Sequence, residues 1–182
     1  MSYKSLTECI CDLEKNNDVR RFSNETDPNL DMATLHLEEF SSGKKAVLFN
    51  NVKGSKYKAI SNLFGTLERS RFIFRDSLQI VKDLIQIKTN PKVILNNPIR
   101  FIFALLNGIY AIPKKVRFKN FNEIKIEDLP QIKCWKKDGG AFITLPQVYS
   151  EDPDNTGFFN SNLGMYRIQI SGNNYIKNTE IG

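Results

Sequence analysis

The spacing of the apolar residues changes once along this chain, near Pro113, and that change constrains the fold more than any other feature. Upstream, apolar side chains recur at intervals of three and four, the period of a helix with one buried face. Downstream, the runs VRF, FITL and YRIQI are short, and Gly139-Gly140, Pro146 and EDPDNTG separate them, as in strands joined by turns. The chain therefore reads as α+β, helices with a small sheet and then a largely β module, with a boundary between roughly Lys114 and Leu129. The later strands are too few to close a barrel or bury a sandwich.

Local signals place the upstream elements. Ser5-Leu6-Thr7-Glu8 is a capping-box pattern, and Leu6, Ile10 and Leu13 follow at helical spacing until Asn16-Asn17. Glu25-Thr26-Asp27-Pro28 reads as a turn into a second helix from about Leu30 to Phe40. AVLFNNV (Ala46 to Val52) is a buried strand, with YKAISNLF (Tyr57 to Phe64) as its neighbour across the Lys53-Gly54-Ser55 turn. From Thr66 to Lys88 the spacing predicts one continuous helix that buries Leu67, Phe74, Leu78, Val81 and Ile85. Asn90-Pro91 stops it, and Pro98 to Tyr110 reads as another buried helix. FIFALLNGIYAI (Phe101 to Ile112), the longest uncharged apolar run, is too short to cross a bilayer. The N-terminus has no signal-peptide pattern, which points to the cytoplasm.

The chemistry that is missing narrows the function. There is no Gly-x-Gly-x-x-Gly, no phosphate-binding loop ending in Gly-Lys-Ser/Thr, no His-Glu-x-x-His and no Gly-x-Ser-x-Gly. The single histidine, His36, lies between Leu35 and Leu37 and reads as a helix residue with a partner, not as a catalytic group. Cys9, Cys11 and Cys134 lack both a zinc and a redox spacing. Any metal would thus be a hard cation bound by oxygen. Residues 1–40 hold four Lys/Arg against nine Asp/Glu, so the net charge of +6 comes from the rest of the chain. Its basic runs, KKVRFK (Lys114 to Lys119) among them, accompany no recognised nucleic-acid module, and no specific nucleic acid is expected.

SNLGMYRIQI, Ser161 to Ile170, carries one charge, Arg167. On a strand, Arg167 shares a face with Met165 and Gln169, while Tyr166, Ile168 and Ile170 take the other. A guanidinium can hold a carboxylate or phosphate in a two-pronged fork and stays charged under any burial. Gly164 permits close approach to the backbone. Spacing alone favours an edge-strand arginine in water with Asn162 in a turn.

NLGMYR followed by IQISGN resembles the cofactor strand of the UbiD-family decarboxylases, the 3-octaprenyl-4-hydroxybenzoate carboxy-lyase-like enzymes that use prenylated FMN. LTECICDLEKNNDVRR, TDPNLDM, AVLFNNVKGSKYKAISNLFGTLER and LPQIKCWKKDGGAFITLPQVYSEDP resemble the same family in order and spacing, most weakly from about Pro91 to Phe121. The resemblance implies an N-terminal α/β domain over residues 1–115 and the first, incomplete part of an FMN-binding split β-barrel over 116–182. It implies Asn162 as a metal ligand beside the flavin phosphate, with Mn²⁺ or Mg²⁺, or K⁺, as the ion. Met165, Tyr166 and Arg167 would contact prenylated FMN, and Arg167 would be catalytic, orienting the carboxylate that leaves as carbon dioxide. The modified flavin would absorb the charge that decarboxylation of an aromatic or α,β-unsaturated acid leaves on carbon.

The family's remaining histidine and glutamate metal ligands, its arginine-pairing glutamate and its acidic proton donor lie downstream of the matching strand. The expectation is therefore the N-terminal part of a decarboxylase, inactive over these residues alone. Its partners would be a small carboxylic acid, with quinone-pathway hydroxybenzoates among the candidates, a flavin prenyltransferase that supplies the cofactor, and further copies of itself. A non-catalytic remnant or partner-binding module is the competing reading, and a basic nucleic-acid binder is a third.

Overall fold

In the computed structural model, which describes residues 3–108 and 124–170, the chain divides into two compact units. One unit joins Met1–Val19 to Leu63–Glu123, and the other joins Arg20–Asn62 to Ile124–Gly182. Much of the expected boundary, the end of the Pro98 helix at Tyr110 and the run KKVRFK lie outside the described residues.

The first unit is helical. Helix α1 (Leu6–Lys15) starts as its capping chemistry dictates, with the Glu8 N–H donating to Ser5 Oγ at 3.2 Å and the Lys4 N–H donating to Glu8 Oε2 at 2.8 Å. Cys9 and Leu13 of α1 pack on Ile73, with Tyr3, Val19, Leu63 and Phe72 around them. The expected continuous helix from Thr66 to Lys88 is instead two, α3 (Leu67–Ile73) and α4 (Arg75–Thr89), broken at Phe74. Arg75 holds the break. Its Nη1 donates to the Phe72 carbonyl at 2.8 Å and to Tyr3 Oη at 2.9 Å, and its Nη2 meets Asp12 Oδ2 at 2.7 Å. A side chain thereby bonds a carbonyl at the point where the helix is interrupted.

The apolar stripe is corrected as well: Leu67, Phe74, Val81 and Ile85 are exposed, Leu78 is half-buried, and the buried residues of α3 and α4 are Arg69, Ile73 and Asp83. Asp83 is buried because Arg100 of α6 (Pro98–Gly108) grips it through both Nε, at 2.9 Å, and Nη2. Helix α5 (Val93–Asn96) is a single turn between them. No helix among the described residues is long and apolar enough to cross a membrane.

The second unit holds a sheet of order β1-β2-β3, with β1 at Val19–Thr26, β2 at Ala46–Val52 and β3 at Ala59–Ser61. Strand β2 is the centre, and Ala46, Val47, Leu48 and Phe49 are all buried. Such a continuous apolar run suits a strand covered on both faces. Helix α2 (Asp31–Ser42) supplies Met32 to the core of Val47, Phe49 and Val52, and Phe22 stacks on Phe49 at 5.8 Å. Strand β3 pairs antiparallel with β2 but is shorter than the expected run from Tyr57 to Phe64. Asn62 ends it in the left-handed region at φ 56°.

Ile132 also packs against this core, and the backbone around it does the joining. Leu30 N–H donates to the Lys133 carbonyl and Lys133 N–H to the Pro28 carbonyl, both at 3.0 Å, while Phe142 N–H donates to the Ile132 carbonyl at 2.8 Å. The TDPNLDM turn is thus stitched to the LPQIKC segment, and that segment to β4 (Ala141–Glu151). Strand β5 (Ser161–Ile170) pairs antiparallel with β4 from Ala141↔Ile170 to Glu151↔Ser161. The register shifts between Thr144 and Gln147, where Leu145 has φ 62° and Pro146 has no N–H to donate. The result is an α+β structure with small sheets and no closed barrel among the described residues.

Candidate carboxylate-binding site on the β4–β5 hairpin

Strand β5 is unbroken, so its side chains alternate between two faces. Asn162, Gly164, Tyr166 and Ile168 share one face, and Met165, Arg167 and Gln169 the other. The four residues singled out from the sequence therefore separate into two pairs, Asn162 with Tyr166 and Met165 with Arg167.

On the first face, Asn162 Nδ2 donates to Tyr166 Oη at 3.3 Å. The Tyr166 ring reaches there by lying across Gly164, where a Cβ would come within 2.4 Å of its Cε2. With the amide nitrogen so engaged, Asn162 Oδ1 has no hydrogen bond among the described residues and is free to meet a cation. One oxygen is far from a full site. Among the described residues, no group of three His, Cys, Asp or Glu side chains could hold a metal ion. The described residues offer one candidate oxygen, that of Asn162, and do not form a metal site.

On the second face, Arg167 has two neighbours that the sequence reading missed. Its Nη2 lies 3.3 Å from Asp138 Oδ2, and its Cζ sits 3.7 Å from the centroid of the Phe142 ring. Register explains the second contact, because Thr144 faces Arg167 and Phe142 is its diagonal neighbour opposite Gln169. The turn KKDGG brings in the first. Trp135 N–H donates to Asp138 Oδ2 at 3.1 Å, which closes the turn and holds the carboxylate over the strand. The visible signal was an aspartate before Gly139-Gly140, at the entry to β4. Nearby, burial pushes the Cys134 thiol up, against a smaller downward pull from Arg167.

The other candidate residues have structural roles. His36 Nδ1 lies 3.1 Å from Ser61 Oγ and its ring stacks on Phe40, the partnered helix histidine expected. Cys9 is buried, Cys11 exposed and Cys134 between the two, all as free thiols. A hollow of about 470 Å³ is lined by Leu30, Leu37, Cys134 and Trp135, among others, and another of about 650 Å³ by Asp27, Lys53, Gln131 and Lys133. Neither is lined by Asn162 or Arg167.

Strand β5 thus presents an amide oxygen, which can face a cation, on one face and a half-exposed guanidinium, which can face an anion, on the other. Comparison with known proteins names the class. Residues 10–88 match the family model for the 3-octaprenyl-4-hydroxybenzoate carboxy-lyase N-terminal domain, and residues 111–179 match that family's Rift-related domain. The chain belongs to the UbiD family.

It is 36% identical over 150 residues to a component of the 4-hydroxybenzoate decarboxylase of Chlamydia pneumoniae, covering 78% of this chain and 25% of that protein. Its fold matches the closed form of vanillic acid decarboxylase from Sedimentibacter hydroxybenzoicus at a TM-score of 0.66 and 24% identity, over 93% of this chain and 36% of that one. It also matches an evolved dimeric form of the UbiD-class enzyme HmfF from Pelotomaculum thermopropionicum in complex with prFMN, with a TM-score of 0.60, 20% identity, and the same two coverages. The chain thus spans between 25% and 36% of the length of these three proteins.

Proposed function

We propose that this chain is the N-terminal part of a carboxy-lyase that removes carbon dioxide from an aromatic or α,β-unsaturated acid with the help of prenylated FMN. The observation that carries the reading is Arg167, half-exposed on β5 with only one of its N–H groups engaged by a described residue. The family match and the prFMN-bound neighbour support the cofactor, and the 4-hydroxybenzoate decarboxylase relative supports a hydroxybenzoate as substrate. The domain division proposed is 1–115 and 116–182; the two family models match residues 10–88 and 111–179. The dimeric neighbour supports a homo-oligomer, and the place of action proposed is the cytoplasm.

Arg167 presents unengaged N–H groups of a planar fork to the acid's carboxylate and fixes the plane of that group relative to the ring. The bond to the departing carbon must stand perpendicular to the ring plane, so that its electrons pass into the π system. A guanidinium pairs more strongly with a carboxylate than with neutral carbon dioxide. Its contribution is therefore orientation and release, not stabilisation of charge that is leaving it. Bound prenylated FMN supplies the electron sink for the bond that breaks. Asn162 would offer its amide oxygen to a hard cation, and Met165 and Tyr166, on opposite faces of the strand, would contact the flavin together with Arg167.

The test uses a longer protein that includes the downstream family domains, loaded with prenylated FMN and given 4-hydroxybenzoate. Arg167→Ala is expected to cut carbon dioxide release about 100-fold or more, with the melting temperature nearly unchanged. Asn162→Ala should weaken cofactor and metal retention together. The 182-residue chain is expected to release no carbon dioxide. An unchanged rate in Arg167→Ala would mean that this arginine does not hold the substrate.

A further inference from the structure

Arg167 already holds a carboxylate, and it is one of the chain's own. Asp138 reaches Nη2 through a single contact of 3.3 Å, longer than the ~2.7–2.9 Å of a strong charge-assisted bond. Its other ties are independent of Arg167. The same oxygen accepts the Trp135 N–H at 3.1 Å, and the side chain is only 14% exposed. The guanidinium, in turn, is backed by the Phe142 ring at 3.7 Å, a contact that persists if the aspartate lets go.

From this arrangement we propose that Asp138 is a specificity-determining residue, a resident carboxylate that neutralises Arg167 and that an incoming carboxylate must displace. The proposal rests on the reading of Arg167 as the carboxylate-binding group. A loose, one-pronged contact yields to a two-pronged fork, and the Trp135 N–H keeps the displaced aspartate partnered. A small anion gains only the fork and loses the aspartate, an exchange with little net benefit. An aromatic acid gains the fork and an apolar contact on the Phe142 side of the site. Asp138 thus closes Arg167 to simple anions and leaves it open to acids that bring a ring.

The 182-residue protein carries its own reporters, because Trp135 is its only tryptophan and sits in the same turn. The experiment follows the Arg167 Nε–Hε resonance, assigned by its loss in Arg167→Lys, during titration with sodium benzoate and with sodium acetate. In the wild type, benzoate is expected to shift the resonance and acetate to leave it in place over the same range. In Asp138→Asn, both anions should bind, with benzoate about fivefold tighter, the effect of removing a partly exposed competing charge. Asn keeps an oxygen for the Trp135 N–H, so an unmoved Trp135 amide resonance shows the turn intact.

Asp138→Glu keeps the charge and should retain the wild-type discrimination against acetate. A merely structural role would let the longer Glu disturb the site as much as Asn does. If benzoate binds Asp138→Asn no tighter than the wild type, the role of Asp138 is wrong and that of Arg167 stands. If Arg167 does not respond to benzoate in any variant, the carboxylate-binding role of Arg167 falls, and this inference falls with it.

Discussion

At the scale of single residues, Gly164 matters through what it leaves out. The sequence suggested a ligand approaching the backbone there, and the structure shows that the group lying against it is the Tyr166 ring. A methyl group at this position would meet Cε2 at 2.4 Å and Cζ at 2.9 Å. These atoms belong to a rigid ring and cannot bend aside like the end of a flexible chain. Gly164→Ala is therefore expected to swing Tyr166 off the strand and release the Asn162 amide that its hydroxyl now fixes. The fold should survive, because Ala is acceptable in a strand and Gly164 is outside the core. Nuclear Overhauser contacts between the Tyr166 ring and residue 164, present in the wild type, should vanish in the variant. If they persist and the Asn162 side-chain amide stays where it was, the ring does not depend on the missing methyl group.

At the scale of elements, the break at Phe74 decides which apolar residues carry stability. Ile73, at 9% exposure, sits in the core with Cys9 and Leu13, so Ile73→Ala should cost about 2–5 kcal/mol. Leu78 is only half-buried, and Leu78→Ala should cost clearly less. Urea unfolding of both variants checks the order, and an equal or larger loss at Leu78 would restore the continuous apolar face. The helical signal itself was legible in part, since α1, α2 and the start of α6 lie where their spacing put them, while α3 and α4 stand where one helix was expected. What spacing could not show was Arg75 reaching across 63 positions to Asp12, or Arg100 drawing Asp83 into a buried site. The same blindness hid Asp138, which meets Arg167 from 29 positions away and carries no periodic signature. Motif resemblance found the strand, but only folding brings its neighbours to it.

At the scale of the whole molecule, one kind of contact recurs in both units: an aspartate held by a base from a distant part of the chain. In the helical unit, hydrogen bonds from Tyr3 and then Arg75 hold the Asp12 carboxyl below its usual range, and Arg100 does the same for Asp83. In the sheet unit, Lys53 lowers Asp27 and Lys56 lowers Asp128. All four groups bind a proton more readily in the unfolded chain, where an aspartate titrates near about 3.9, than in the folded one. Their contribution is therefore complete above about pH 4 and is lost as pH falls through their lower folded values. Melting temperature should be flat from about pH 7 to about pH 5 and drop steeply below about pH 4.

Salt should separate the Asp83 pair from the others. The Asp27, Asp128 and Asp12 side chains are 32%, 31% and 27% exposed, so their pairs are open to screening, whereas the Asp83 side chain is 6% exposed and much less so. Asp12→Asn combined with Asp83→Asn should lower stability at pH 7 and flatten the acid limb, since neither site then gains a proton on unfolding. Thermal melts of the wild type and the double variant from about pH 2.5 to about pH 7 decide the matter. Acid limbs of equal steepness in the two proteins would show that other groups, not these paired aspartates, take up the protons on unfolding.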